Sequence, residues 1–382
     1  MDQSGLRTWI EIDKKALRYN TEQFLNIIPK KTRLMAVIKS NAYGHGLVQV
    51  AKQLTSYQLP VTGNYLWFGV DSIVEALRLR REGIKNPILV LGSTLPSRIK
   101  EAVESNIILT VSNFESLLTL AKAKNRPQFH LKIDTGMHRQ GFLPNDIGQV
   151  IRKVRSPKSE IRNLLTGIYT HFAAKDWGHP SYTELQLAEF KKIIKIFDRA
   201  GFRNLVRHAA ASDATLLFPE AHLDMVRVGM GLYGYWPSWA AKVRHPKGFF
   251  LKPVLSWKTI VGEVKMIPKG SYVGYDLTEQ VQRDTKIAVL PVGYWHGYDR
   301  GLSSVGEVLI CGRRAKILGR VSMDMMTVDI GDISKVKVGD EVVLVGRQGR
   351  EFIGADEPAL KIGTSQYEFL TRINPLIKRF VL

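Results

Sequence analysis

Short runs of apolar residues, each of strand length, recur along the first two thirds of the chain. They alternate with segments whose apolar residues recur at helical spacing, such as SIVEALRLRREG and YTELQLAEFKKIIKIFDRAG. The eight runs are LMAVIK (34–39), YLWFGV (65–70), PILVLG (87–92), IILTV (107–111), FHLKID (129–134), LTGIYTHF (165–172), LVRHAAAS (205–212) and DMVRVGM (224–230). This alternation predicts a parallel sheet covered on both faces. Eight such units predict an α/β fold, a (β/α)8 TIM-like barrel, although periodicity alone leaves a doubly wound open sheet as an alternative.

The pattern changes after Tyr235. The segment WPSWAAKVRHPKGFFLKP has no clear period and is interpreted as a linker. Short strands separated by Gly and Asp turns follow it, with little helix: LSWKTIVGEVKMI, KIAVLPVGY, EVLICGRRAKILGRVSM, MTVDI and DEVVLVG. The sequence therefore predicts a barrel domain over residues 1–238 and a mostly β C-terminal domain over residues 239–382. Residues 1–10 are candidates to join the β domain.

Composition narrows the class of protein. The 382 residues carry a net charge of +20, but the basic residues are scattered at helical spacing rather than gathered in one patch. Nucleic-acid binding is therefore not expected. The single cysteine, Cys311, excludes an internal disulfide and fits a reducing compartment. No stretch has the length or hydropathy of a signal peptide or a membrane span, so we expect a cytoplasmic protein with no membrane partner.

Charged and polar residues stand at the ends of the predicted strands. A barrel gathers its active site at the C-terminal ends of its strands. In chain order these ends carry Lys39, Lys132, Arg139, His171, Ser212, and Arg227 with Gly229. Lys39, in AVIKSNAYGHG, has an alternative interpretation as a solvated strand-terminal charge. The clustering of the other residues at the same end favours a catalytic lysine instead, because charged residues are rarely buried without partners.

The segment GMGLYG, residues 229–234, matches G-x-G-x-x-G, but no acidic residue follows it at the spacing of a dinucleotide site. Glycines at a strand end still offer N–H groups to a phosphate. A lysine at the barrel mouth together with such a phosphate site suggests pyridoxal phosphate bound covalently to Lys39. His171, Asp176 and His179 are the one group that suggests a metal, but the GHP turn and the lack of other ligands make us expect no metal.

Six motifs occur in the order and spacing of one known family. They are AVIKSNAYGHG, HLKIDTGMHRQGF, GIYTHFA, SDATL, MVRVGMGLYG and GRVSMDM. Over essentially its whole length the chain resembles the alanine racemase family, whose members are fold-type III pyridoxal 5'-phosphate enzymes. The resemblance implies interconversion of L- and D-alanine by two bases, in a homodimer with shared active sites. In a bacterium such an enzyme supplies D-alanine to peptidoglycan.

The resemblance also implies roles for individual residues. Lys39 is similar to the lysine that holds the cofactor and serves as one base, and Tyr275 is similar to the second base. Residues resembling cofactor ligands are Tyr43, Ser212, Gly229 and Met230 for the phosphate, His171 beside the ring and Arg227 at the pyridine nitrogen. Residues resembling the substrate site are Arg139, which meets the substrate carboxylate, and Met323 and Asp324, which the partner subunit supplies together with its tyrosine. Lys132 matches a lysine that some members carry in carbamylated form.

Three positions depart from the family pattern. His138 gives GMHR where GMGR is usual, Ala211 replaces an asparagine, and Pro375 replaces a tyrosine that touches the phosphate. Because these residues border the site, a serine or broad-spectrum amino-acid racemase stays an alternative to an alanine racemase, as does a decarboxylase on the same fold. A non-catalytic pyridoxal-phosphate carrier is the alternative from another class. The β domain and Tyr275 argue against a carrier, which needs neither.

Overall fold

The computed structural model describes residues 5–56, 66–157, 160–174 and 180–382. Its strands are β1 (Thr8–Ile12), β2 (Arg33–Val37), β3 (Leu66–Val70), β4 (Ile88–Val90), β5 (Ile108–Val111), β6 (Phe129–Lys132), β7 (Leu165–Tyr169), β8 (Val206–Ala211), β9 (Met225–Val228), β10 (Leu255–Ile260), β11 (Glu263–Ile267), β12 (Thr285–Leu290), β13 (Glu307–Ile310), β14 (Arg313–Leu318), β15 (Met326–Asp329), β16 (Glu341–Gln348), β17 (Glu351–Ile353) and β18 (Arg379–Val381). Its helices are α1 (Lys14–Ile27), α2 (Lys39–Tyr43), α3 (Leu47–Ser56), α4 (Ile73–Arg81), α5 (Ile99–Glu104), α6 (Phe114–Lys122), α7 (Ile147–Arg155), α8 (Pro180–Arg199), α9 (Ser212–Leu217), α10 (Trp239–Arg244), α11 (Asp356–Lys361) and α12 (Gln366–Thr371).

Strands β2 to β9 form a closed barrel of parallel strands. Each strand pairs with the next along the chain, and β9 closes the barrel by pairing with β2, with Arg33 opposite Met225 and Ala36 opposite Val228. The predicted TIM-like barrel is confirmed. The doubly wound alternative is wrong, because an open sheet would leave its two outer strands without a neighbour.

The apolar runs extend beyond the strands that they predict. β2 ends at Val37, so that Lys39 is the first residue of α2, and β7 ends at Tyr169, so that His171 lies in the following loop. Ile38, which follows β2, is fully buried although it lies outside the strand. Because a buried residue beyond a strand can be as apolar as the strand itself, the pattern does not mark where the strand pairing ends. Tyr65, the first residue of YLWFGV, lies outside the described residues.

Side-chain caps begin several of the helices. The N–H of Glu75 donates to Ser72 at the start of α4, and that of Ser116 donates to Asn113 at the start of α6. Ser238 caps α10 in the same way by accepting from the N–H of Ala241. The segment interpreted as a linker therefore contains one short helix. Its N-cap serine indicates where the helix begins, whereas its apolar residues show no helical period.

A second sheet holds the other ten strands of the described chain. Its order is β11-β12-β15-β14-β13-β16-β10-β1-β18, and β17 pairs with β16. β1 pairs antiparallel with β10, Thr8 facing Thr259, so the first strand of the chain lies in this sheet.

The chain divides into two compact units. Residues 16–42 and 50–252 form the barrel unit, and residues 1–15, 43–49 and 253–382 form the β unit. The domain boundary expected between residues 238 and 239 stays a prediction.

Candidate functional site

Lys39 opens a left-handed turn that contains no glycine. Residues 40–43 all have φ between 53° and 55°, a region that costs an L-residue about 1–2 kcal/mol. Neighbouring groups hold the turn in place. The N–H of Ala42 donates to the Ile38 carbonyl at 2.8 Å, and the N–H of Asn41 donates to Glu75 Oε1 at 3.2 Å. Strain kept at one place in this way is typical of functional sites.

Glu75 braces this turn from α4. While one of its carboxylate oxygens accepts from Asn41, the other accepts from the N–H of Asp71 at 2.9 Å. The Asp71 carboxylate in turn lies 3.6 Å from Lys39 Nζ. The amine of Lys39 is therefore partly exposed at the barrel mouth, with one carboxylate beside it.

Arg227, on β9, is a buried cation that has no carboxylate partner among the described residues. Its Nη2 donates to the carbonyls of Thr170 and Ala209 and to Nδ1 of His171, at 2.8 to 3.0 Å, and its Nη1 donates to Nδ1 of His208 at 2.9 Å. Burial lowers the pKa of Arg227 to about 10, which leaves it charged at neutral pH. Within the described chain its Nε–H has no acceptor, so the guanidinium retains a donor for a ligand.

Lys132, at the end of β6, is a second buried cation. Its Nζ donates to Gln140 Oε1 at 3.0 Å and lies 5.6 Å from the centre of the Tyr169 ring. Burial, and then the charges of Arg139 and Arg227, lower the pKa of Lys132 to about 8. Lys39 contributes in the same direction. Four cations thus influence one another at one end of the barrel.

Asp134 shapes the loop that carries Arg139. Its carboxylate accepts the backbone N–H groups of residues 136–139 at 2.9 to 3.1 Å. Burial would raise the pKa of this carboxyl, but the N–H donors, that of His138 first, hold it below its ordinary value. His138 adopts φ 54°, a left-handed conformation that favours glycine. This explains physically why GMHR is unusual at a position where GMGR is the common sequence.

The loops after β8 and β9 meet through one hydrogen bond. The N–H of Gly229 donates to Ser212 Oγ at 2.9 Å, and a single 3-10 turn over Met230–Tyr233 follows. Gly231 lies so close to the Phe24 ring that a Cβ atom would come within 2.4 Å of it. Ala211 occupies the N-cap of α9 and provides no side-chain acceptor, so the first N–H groups of that helix have no cap.

The β unit carries the remaining predicted residues on three adjoining loops, 272–277, 293–297 and 319–325. A Cβ atom on Gly274 would come 3.0 Å from the N atom of Arg320, and the N–H of Trp295 donates to the Met323 carbonyl at 2.9 Å. Tyr275, Met323 and Asp324 are all exposed. Exposed apolar side chains on these loops are Tyr272, Tyr275, Leu277, Tyr294, Trp295, Met323 and Met325.

Tyr43 belongs by compactness to the β unit, with residues 43–49. Its ring packs edge-on against Tyr367 with centroids 6.1 Å apart. The next carbonyl, that of Gly44, accepts from Nε of Arg379 at 2.8 Å, and burial lowers the pKa of Arg379 to about 10. The Nη groups of Arg379 donate to the carbonyls of Asn374, Pro375 and Ile377. The left-handed turn is therefore fastened on its C-terminal side as well.

Sequence reasoning found most, but not all, of the polar groups at the barrel mouth. The barrel unit contains Lys39, Lys132, Arg139, His171, Ser212, Arg227, Gly229 and Met230. The β unit contains Tyr43, Tyr275, Met323 and Asp324. Sequence reasoning missed His208, Gln140 and Asp71, which contact the predicted residues directly. Only His208 carried a usable signal, a histidine inside an apolar strand. Asp176 and His179 lie outside the described residues.

The chemistry at this mouth suits an anionic ligand. Lys39, Lys132, Arg139 and Arg227 supply four positive charges. The carboxylate of Asp134 accepts hydrogen bonds from backbone N–H groups, so it does not pair with these cations. The guanidinium of Arg227 retains one N–H donor for a ligand. A primary amine on a strained turn, a buried guanidinium and the Ser212 hydroxyl at a strand end together fit a ring that carries an aldehyde, a basic nitrogen and a phosphate. No described helix is long and apolar enough to cross a membrane.

Comparisons with known proteins agree along the whole chain. Residues 12–237 match the family profile "Alanine racemase, N-terminal domain", and residues 254–381 match "Alanine racemase, C-terminal domain". The chain is 38% identical to an alanine racemase of Leptospira interrogans, covering 98% of this chain and 96% of the relative. It is 40% identical to one of Symbiobacterium thermophilum, covering 100% and 98%. A crystal structure of alanine racemase from Bacillus anthracis with bound L-Ala-P superimposes with a TM-score of 0.89, at 34% identity and 98% and 95% coverage.

Proposed function

The chain belongs to the alanine racemase family, and we propose that it interconverts L-alanine and D-alanine with pyridoxal 5'-phosphate as its cofactor. The observation that carries the proposal is the guanidinium of Arg227, buried and hydrogen-bonded to two histidines, with an Nε–H that has no acceptor in the described chain. Arg227 offers a neutral pyridine nitrogen a hydrogen bond and no proton. Electron withdrawal is then moderate, which favours simple removal and return of a proton over wider pyridoxal chemistry.

The residues that would hold this cofactor are the ones described at the barrel mouth and on the adjoining turn. Lys39 binds it covalently through Nζ. Tyr43, Ser212, Gly229 and Met230 would bind the phosphate, His171 would contact the ring, and Arg227 would donate to the ring nitrogen. When bound, the cofactor withdraws electrons from the amino acid's Cα and so makes the Cα proton removable.

Racemisation requires proton transfer on both faces of Cα, so two bases are needed. In the L-to-D direction Oη of Tyr275, ionised, accepts the Cα proton, and the Lys39 ammonium donates one to the opposite face. In the D-to-L direction the neutral Lys39 amine accepts the proton and the Tyr275 hydroxyl donates. Each positioned acid or base is worth about 10²–10⁴-fold in rate.

Substrate binding is assigned to Arg139, Met323 and Asp324. Arg139 pairs with the substrate carboxylate, an interaction to which guanidinium geometry is suited. Carbamylation of Lys132 belongs to the same proposal. The pKa of about 8 supports it, because only a neutral amine attacks CO₂, and burial makes that form accessible near neutral pH.

We place the active site between two copies of the chain in a homodimer, with barrel domain 1–238 of one copy facing β domain 239–382 of the other. The partner subunit's Tyr275, Met323 and Asp324 would complete the site. The exposed aromatic and methionine side chains on the three loops support this arrangement, since contiguous apolar surface usually marks an interface. We further propose that the enzyme works in the cytoplasm and supplies D-alanine for peptidoglycan.

The test is chiral analysis of products from the purified protein with pyridoxal phosphate. We expect conversion of L-alanine to a racemic mixture, and slower conversion of L-serine. Faster turnover of serine, or comparable turnover of several amino acids, would favour the broad-spectrum alternative. Release of CO₂ would indicate a decarboxylase. Cofactor binding without conversion of any amino acid would leave a carrier and overturn the proposal.

A further inference from the structure

A column of three hydrogen-bonded side chains fills the barrel interior beneath the candidate site. His130 on β6 lies with Nδ1 2.9 Å from Nε2 of His208 on β8. Nδ1 of His208 lies 2.9 Å from Nη1 of Arg227 on β9. Both imidazoles are fully buried. His208 also stacks on Tyr169 with the rings nearly parallel, 6° apart, and with centroids 4.6 Å apart.

The arginine dictates where the protons of this column lie. A guanidinium can only donate, so Nδ1 of His208 must be the acceptor and Nε2 must carry the proton. Nε2–H of His208 then donates to Nδ1 of His130, which leaves the proton of His130 on its own Nε2. The opposite tautomer of His208 would set an N–H against the N–H of Arg227. One arrangement of protons therefore satisfies every contact in the column.

Two features of the barrel accommodate His130 at a cost in stability: a glycine beside its ring and a buried N–H that has no acceptor among the described residues. A Cβ atom on Gly167 of β7 would come 2.6 Å from the His130 ring, so only a glycine there leaves space for the imidazole. Nε2 of His130 is buried without a hydrogen-bond partner in the described chain. Burial lowers the pKa of His130 to about 3 and that of His208 well below its ordinary value, in keeping with two neutral rings. A filler side chain would need neither the glycine nor the orphaned N–H.

Arg227 depends on this column for the hydrogen-bond acceptor of one of its two terminal nitrogens. Three acceptors surround Nη2, whereas Nη1 has His208 alone among the described residues. Without that acceptor only Nη2 is held by hydrogen bonds, and the guanidinium can turn in its own plane over the Tyr169 ring, whose centre lies 5.3 Å from Cζ. The direction of its Nε–H, which in the proposed function meets the cofactor ring, would then no longer be fixed.

We propose that His130 is a positioning residue for Arg227. By accepting a hydrogen bond from Nε2–H of His208, it stabilises the tautomer that Arg227 requires and holds the His208 ring with its acceptor toward the guanidinium, and so aims Arg227 at the ligand in the barrel mouth. The effect on catalysis rests on the proposed function. The proton arrangement does not, because it follows from the protein's own atoms.

A matched pair of variants tests the proposal in the intact protein. Asparagine and leucine have nearly the same shape and leave the same space, but Asn can place an amide oxygen where His130 Nδ1 stood and leucine cannot. We expect His130→Leu to lower kcat about tenfold with a smaller change in KM for alanine. His130→Asn should retain most of the wild-type kcat. Thermal unfolding of both variants controls for loss of the fold.

The decisive readout is independent of activity. In protein labelled with ¹⁵N-histidine, the wild type should show His208 protonated at Nε2 and bare at Nδ1, and His130→Leu should lose that single tautomer. A wild-type His208 protonated at Nδ1 overturns the proposal even if no variant folds. Equal kinetics and equal spectra for the Leu and Asn variants also overturn it and reduce His130 to a filler. A wild type with the expected tautomer but no racemisation would instead refute the proposed function.

Discussion

The barrel mouth and the loops of the β unit carry candidate residues under opposite conditions. Arg227 is 3% exposed and Lys132 6%, whereas Tyr275 is 69% exposed and Met323 55%. Arg227 is fixed by four hydrogen bonds and Lys132 donates to Gln140, while the β-unit residues extend from loops into solvent. One region is organised by its own chain, and the other presents an apolar surface that a single chain leaves uncovered.

Backbone strain follows the same contrast. The left-handed turn at residues 40–43 is fixed by Ile38 and Glu75 and, beyond Gly44, by Arg379. The left-handed pair Asp276 and Leu277 has only looser support, since the Asp276 carboxylate lies 3.4 Å from Arg320 and 3.6 Å from Arg300. We infer that the barrel side sets the position of the reaction and that the loop side is completed on assembly.

Lys39→Ala changes the barrel mouth and should have the largest effect on activity. In the proposed function Lys39 is both the covalent anchor and one base, so we expect racemisation to fall by more than ~10⁴-fold while the protein stays folded. Lys85→Ala, an exposed lysine of the same barrel, serves as the control. Borohydride treatment followed by peptide mapping should attach the cofactor to Lys39 in the wild type. The assignment would be contradicted if the Lys39→Ala variant kept its activity and borohydride attached the cofactor to another lysine.

Mixing inactive chains tests whether the exposed region is completed by a partner. Lys39→Ala and Tyr275→Phe protomers, after unfolding and refolding together, should form some dimers with one intact site. Since random pairing makes half the dimers mixed, activity should recover to about a quarter of the wild-type level. Each variant refolded alone is the control. No recovery at any mixing ratio, with subunit exchange verified, would rule out the shared site.

Tyr275→Phe should separate the two faces of the substrate. Loss of this base should slow exchange of the α-hydrogen of L-alanine with deuterated water by ~10²–10⁴-fold, with much less effect on D-alanine. The measurement follows exchange for each enantiomer before racemisation mixes them. Tyr272→Phe, an exposed tyrosine of the same loop, is the matched control. Equal loss from both enantiomers would indicate a single base serving both faces.

Lys132 offers a smaller effect that depends on pH. Its pKa is about 8 in the folded chain and 10.5 ordinarily, so between these values only the unfolded chain holds the proton. The free energy of unfolding should therefore rise with pH across this window, and Lys132→Met should lack that rise. Urea unfolding in CO₂-free buffer at pH 8 and pH 10 measures the difference between the two proteins. Parallel changes in both would show that Lys132 does not titrate in this window.

The smallest effect is expected at His138. Because its φ of 54° favours glycine, His138→Gly should raise the free energy of unfolding by about 1 kcal/mol. His138→Ala keeps the Cβ atom and so serves as the control, with no comparable gain. Urea unfolding detects a change of this size. A gain for alanine equal to that for glycine would mean that the imidazole, rather than the backbone, is the source of strain.

Eight apolar runs separated by helical segments predicted the barrel, although the same pattern left a doubly wound open sheet as an alternative that only the closed strand pairing excludes. The sequence also indicated the chemistry at the strand ends, where charged residues follow apolar ones. The left-handed turn at residues 40–43 could not be predicted from the sequence, because KSNAY contains no glycine that would indicate a positive φ. The strain there is offset by the hydrogen bond to Glu75, a tertiary contact that local sequence does not encode.

The hydrogen-bonded column of histidines shows the same limit. His130 and His208 come from strands that are 78 residues apart, and neither segment indicates the other. Alternation along β6 does place His130 and Lys132 on one face, but a pattern cannot show which partner lies across the barrel. Long-range pairing of polar side chains is decided by barrel geometry, and so it emerges only in the folded structure.

The closeness of Gly167 to the His130 ring has a consequence for how this barrel can evolve. A methyl group at position 167 and an imidazole at position 130 compete for the same space, so neither position is free to change alone. Among homologous chains the two positions should therefore covary, with glycine at the first wherever histidine occupies the second. A lineage that abandons the histidine would be released from the glycine, and the pair of losses would mark where the column had ceased to be used.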